Sequence, residues 1–198
     1  MQPNLYRKVI KIGSFTSSDI ELKDLAKAWI AISFAFAVLL RGSVEVGFFF
    51  SFFMSGLTVG LGFLLHELGH KVVAQKYGCF AEFRANNIML ILAIVMSFIG
   101  FILAAPGAVM IAGQVDRSKN GRIAIIWSII NLLLAAFFYI ASFLYSHIFL
   151  DYGVSINAWL ALFNMLPFGI LDGYKVWKWN KLSWSLVVIT ALLFLFVL

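Results

Sequence analysis

The chain has 198 residues, 63% of them hydrophobic and 17% aromatic, with only 12% charged and a formal net charge of +6. This mixture excludes an ordinary soluble domain and predicts an all-α polytopic membrane protein set in a lipid bilayer. The Lys and Arg residues fall in small clusters between apolar runs and form no single stripe, which argues against a nucleic-acid partner. The single cysteine, Cys79, rules out an internal disulfide and any Cys₂His₂ or Cys₄ zinc site.

From the N-terminus, Met1 to Ala26 is polar and charged, without the apolar core and small-residue cleavage site of a secretory signal. A short strand is expected within Tyr6 to Phe15. Ser18-Asp19-Ile20-Glu21 reads as a capping box opening the first helix, which enters the bilayer after Lys27. Apolar runs over about 28–40, 46–65, 88–113, 123–150, 156–171 and 182–198 predict five to six transmembrane helices. No linker is long enough for a separate soluble domain. Residues 1–198 therefore read as one membrane-embedded domain, with an N-terminal segment and first helix over 1–45, a core over 46–180 and a C-terminal helix over 181–198. Gly56-x-x-x-Gly60 and Gly62 are expected to let the second helix approach its neighbours closely, and Trp177, Trp179 and Trp184 fit an interfacial aromatic belt.

At the end of the second run stands His66-Glu67-Leu68-Gly69-His70. On a helix, His at i and i+4 point from one face at a single Zn²⁺, and the intervening Glu serves as general base for the attacking water. That is the working part of a zinc peptidase, here placed within a membrane. A catalytic zinc site needs a third protein ligand. His147 and Asp172 are the candidates at the edges of apolar segments. His147 falls at the far end of its helix, whereas Asp172, three residues before Lys175, matches the depth of His66, five residues before Lys71. Depth favours Asp172, and an intramembrane acid is a functional candidate in its own right.

The run 88–113 decides the topology. If it enters the membrane and returns, all fifteen Lys and Arg except Arg41 lie on the cytoplasmic side together with the N-terminus and the metal site. A re-entrant or hairpin element is therefore expected, turning at Pro106-Gly107 and running back as an extended strand over Ala108 to Gly113. Extended backbone at membrane depth needs protein or a watery cavity around it, so this segment should border the active site. Asn131 and Asn164 are the polar groups within the apolar runs available to hold an unwound substrate; interhelical hydrogen bonding and support of the Pro167 region are their structural alternatives.

His66-Glu67-Leu68-Gly69-His70 together with Asn164-Met165-Leu166-Pro167 and Leu171-Asp172-Gly173 resembles the site-2 protease family of intramembrane zinc metalloproteases. The resemblance implies one Zn²⁺ per chain held by His66, His70 and Asp172, with Glu67 activating water. It also implies a three-helix core over 46–76, 122–147 and 157–174. Ala105-Pro106-Gly107-Ala108-Val109 is similar to the family's strand region thought to pair with substrate. Gly169 stands where the family has a second Pro, and Trp127-Ser128 where it has Gly-Pro, which bears on helix packing and substrate contacts. No PDZ-like module is expected, as in a minimal prokaryotic-type member.

The function expected is hydrolysis of a peptide bond in or near the transmembrane segment of a membrane-protein substrate, in the plasma or inner membrane. Two alternatives stand beside it. One is a proteolytically silent membrane scaffold of the same fold, against which Glu67 argues. The other is a metal transporter, which should place polar residues along a path and not at one depth.

Overall fold

The computed structural model describes residues 9–13, 15–41, 47–102, 106–145, 147–169 and 171–196. Among these are strands β1 (Val9–Ile12) and β2 (Phe15–Ser18), helices α1 (Asp19–Leu40) and α2 (Phe48–Lys76), and strand β3 (Phe80–Ala85). There follow α3 (Asn87–Ser97), β4 (Gly107–Ala112), α4 (Arg117–Leu144), α5 (Ile148–Asn164), α6 (Asp172–Trp179) and α7 (Lys181–Phe196). β1 pairs with β2 and β3 with β4, both antiparallel. Tyr6, where the first strand was expected to begin, lies outside the described residues, as does Ala105.

α1 starts where its cap demands. The Ser18 hydroxyl accepts the Glu21 N–H at 3.1 Å, one half of the expected capping box. The other half is not formed, because the Glu21 carboxylate turns to partners on α2 and β3. α2 contains one π-helical turn, Gly56–Gly60, and that turn lies on α1. A Cβ on Gly56 or Gly60 would come within 2.9 or 2.6 Å of the Trp29 ring, and the indole N–H donates to the Gly56 carbonyl at 3.0 Å. The glycine pair thus serves a helix contact within the chain.

α4 is the hub of the bundle, packing on α2, α5 and α6, while α7 closes against α5. The single helix expected over 157–174 is instead two. α5 ends at Asn164 and α6 begins at Asp172, with Gly169 between them at a φ of +55°. Pro167 supplies the reason: it offers no backbone donor and its ring disfavours a helical residue before it. The chain folds back so closely that a Cβ on Gly173 would run into the Met165 backbone carbonyl. Asp172 consequently opens a helix, held over the end of α5.

The segment between β3 and β4 returns to its point of departure, where the Asn86 N–H donates to the Pro106 carbonyl at 3.0 Å. Its helix α3 has 11 residues, about 16 Å of rise, roughly half the hydrocarbon thickness of a bilayer. Among the described residues two helices, α2 and α4, are long and apolar enough to cross a membrane, against the five to six expected. α5 and α7 have 17 and 16 residues, and the first turns of α1 carry Asp19, Glu21, Lys23, Asp24 and Lys27. The outward faces of α2 and α4 are nonetheless apolar: Phe49, Phe53, Leu57, Leu133, Phe137 and Ile140 are all exposed.

Candidate metal centre

His66 and His70 lie one turn apart on α2, and both are buried. Gly69 between them allows α4 to come close, since a Cβ there would stand 2.6 Å from the Ile130 side chain. The approach brings the Ile123 carbonyl to 2.8 Å from His70 Nδ1. A carbonyl only accepts, so Nδ1 carries the proton and Nε2 is left to the site. His70 Nε2 is 2.8 Å from Asp172 Oδ2, and the other carboxylate oxygen receives Lys175 Nζ at 2.7 Å. One carboxylate therefore makes both the contact expected of a ligand and an ion pair with Lys175 one turn along its own helix.

The ligand atoms of His66, His70 and Asp172 all lie within 4.8 Å of one another. In a tetrahedral zinc site, with ligands at about 2.1 Å, neighbouring ligand atoms stand about 3.4 Å apart, inside the range seen here. Two imidazole nitrogens and one carboxylate oxygen also match the donor set of catalytic zinc. Glu67 is buried beside them, with Oε1 3.4 Å from His66 Nε2. Its Oε2 has no protein hydrogen-bond partner, the position a base keeps for the water it deprotonates. The residues fit the metal.

β4 borders this centre, and its register shows how. Opposed residues in an antiparallel ladder either exchange both backbone bonds or direct both groups outward. On β3 the Phe83 N–H donates to Glu21 Oε1 (2.8 Å), the Ala85 N–H to Asp24 Oδ2 (3.3 Å), and the Ala81 carbonyl accepts from Gln75 Nε2 (3.2 Å). Ala81, Phe83 and Ala85 thus point away from β4. Their partners Ile111, Val109 and Gly107 point away from β3, toward an open edge. The Val109 N–H faces the Glu67 carboxylate, in agreement with that register. Pro106 precedes this strand and closes the Asn86 turn, while Ala108 pairs inward with Arg84 and is exposed.

His147 caps α5, its Nδ1 accepting the Phe149 N–H at 3.1 Å, and packs near Phe50 at the opposite end of α2 from the cluster. Asn164 donates to the Leu160 carbonyl at 3.0 Å within its own helix. Asn131 is buried with neither amide atom bonded, and together with Asn157 it faces Gly62, one turn ahead of His66. Sequence reasoning did not place Trp127 at the centre. Its ring lies against His66 and 5.7 Å from that of His70, buried, with its N–H unbonded. The signal was present in the spacing Ile123, Trp127, Asn131, a single face of α4.

No family model and no solved structure matches the chain. A protein of Methanocaldococcus jannaschii named a putative zinc metalloprotease is 39% identical over 180 residues, 87% of this chain and 91% of that one. The chain belongs to this zinc metalloprotease family. As a zinc metalloprotease it has its histidine pair on α2 and its acidic partner at the start of α6, two elements that α4 holds together.

Proposed function

We propose that this metalloprotease is an intramembrane, site-2-type endopeptidase that cleaves a peptide bond in or near the transmembrane segment of a membrane-protein substrate. The observation that carries the reading is the meeting of His66, His70 and Asp172 with Glu67 at the open edge of β4, inside a bundle with an apolar exterior. The Asn164-x-x-Pro167 and Asp172-Gly173 segments support the type, since they build the break that swings Asp172 onto the histidines.

His66, His70 and Asp172 are assigned as the ligands of one Zn²⁺, which when bound polarises a carbonyl and makes water acidic near neutral pH. Glu67 takes a proton from the attacking water and delivers it to the leaving amine. Ile123 and Lys175 orient His70 and Asp172. A substrate helix hides its carbonyls, so the segment cleaved must be unwound. Gly107, Val109 and Ile111 offer that unwound strand main-chain donors and acceptors beside Glu67, with Pro106 and Ala108 fixing the strand's start. Asn131, unbonded and buried, is assigned a substrate contact deeper in the site, and Asn164 one at its rim.

Orientation follows from charge. Lys119 lies over Tyr77, Arg122 over Trp179 and Lys181 over Trp177, and Arg117 donates to the Lys178 carbonyl, so these cations gather at the end of the bundle that holds the site. That end is assigned to the cytoplasm, with 88–113 a re-entrant or hairpin element and the chain multi-pass in the plasma or inner membrane.

The test is cleavage of a fluorogenic peptide with one apolar segment of about 20 residues interrupted by a Gly-Pro pair, by the zinc-loaded protein in micelles. Mass spectrometry should place the cut within or beside the apolar segment, and chelation should abolish it. Cuts confined to the outer ends of the polar flanks, away from the apolar segment, would contradict an intramembrane site.

A further inference from the structure

A two-stranded sheet is marginal by itself, yet β3–β4 must hold Val109 in register with Glu67. The outer edge of β3 shows what holds it. Where a third strand would pair, three side chains stand instead: Gln75 from α2, and Glu21 and Asp24 from α1. Glu21 differs from the others in having no exposure at all. One of its oxygens accepts the Phe83 N–H; the other accepts the Ser17 hydroxyl at 2.6 Å and the ammonium of Lys71. Lys71 is equally buried, follows His70 directly, and lies 4.5 Å from the centre of the Phe15 ring. Ser18, which caps the Glu21 turn, also donates to Glu82 on β3. Phe83 opposes Val109. One carboxylate thus joins the back of the hairpin to the end of the helix that carries the histidines.

We propose that Glu21 is a positioning residue for substrate: through Phe83 and Lys71 it sets the height of the open β4 edge over the metal centre. The proposal rests on the reading of β4 as the substrate strand. Buried ion pairs seldom add net stability and can often be replaced by neutral groups without loss, which makes the pair testable apart from folding. The hairpin carries no ligand, so its displacement should weaken substrate capture and leave the metal in place.

The experiment measures zinc content, kcat and KM for the fluorogenic transmembrane peptide in three variants. E21Q/K71M retains an acceptor for Phe83, buries no unpaired charge and cuts the link to α2. E21D keeps the charges but is one methylene too short to reach both partners. K71R keeps the cation and serves as the conservative rescue. The expected result is one zinc per chain in all three, KM raised about tenfold or more in E21Q/K71M and E21D with kcat within about threefold, and KM near wild type in K71R. Either of the first two variants carries the test alone if the other does not fold. An unchanged KM in the folded variant overturns the proposal, and so does a loss that falls on kcat or on zinc. V109P, measured alongside, separates the two readings. If V109P raises KM and E21Q/K71M does not, only the positioning role fails; if V109P itself leaves KM unchanged, the substrate strand lies elsewhere.

Discussion

Proline at Val109 is a sharp perturbation of the open edge, because the residue's N–H takes no part in the β3–β4 ladder. Phe83 and Val109 form an outward-facing pair, so V109P costs the hairpin no bond and removes a donor on the open edge beside the Glu67 carboxylate, where the substrate strand is proposed to lie. One neutral hydrogen bond contributes a net 0.5–1.5 kcal/mol, or about two- to twelvefold in KM. Ile111 lies two residues on and faces the same way, so I111P should act in the same sense. Ala108 is the control: its N–H faces β3, and A108P should lower the melting temperature of the protein as well as its activity. The assay is steady-state cleavage of the fluorogenic peptide with zinc content measured on the same samples. If both outward prolines leave kcat and KM unchanged, β4 is only packing, and Asn131 becomes the principal substrate contact.

Three further outcomes follow from the site and its supports. D172A should severely reduce zinc content while H147A leaves it intact, since His147 caps α5 far from the cluster; the reverse pattern would reassign the third ligand. G173A should destabilise the protein by about 1–3 kcal/mol and weaken zinc binding, because the new methyl meets Met165 backbone and not a flexible side chain, a change readable in thermal unfolding with and without chelator. In a Cys79→Ala background, cysteine at exposed Tyr145 should react with an impermeant thiol reagent outside intact cells and cysteine at exposed Gln114 should not; labelling of Gln114 would mean that the run 88–113 crosses the membrane.

The centre was legible in the sequence to the extent that it is local. His66 and His70 share a face by helical periodicity alone, and Asp172 could be matched to them by depth because both precede a lysine at the same end. Most of what failed was contact-dependent. Glu21 fits a capping box by its spacing from Ser18, but no spacing rule reveals a lysine 50 residues away that turns its carboxylate elsewhere. β3 was not foreseen, since Phe80 to Ala85 is a strand only because Gly107 to Ala112 returns beside it. The expected helix over 157–174 ran through Pro167 and Gly169, both breakers in plain view. Trp127 was read as a departure from a resemblance, whereas its place against His66 depends on how α4 crosses α2.

Zinc content and cleavage measured on the same samples of wild type and E67Q separate a zinc peptidase with Glu67 as its base from every other reading of the site. Both proteins should hold one Zn²⁺ per chain, with cleavage of the transmembrane peptide lower by about 10²- to 10⁴-fold in E67Q. A zinc-loaded E67Q that cleaves at the wild-type rate, or a wild-type protein that holds no zinc, would contradict it.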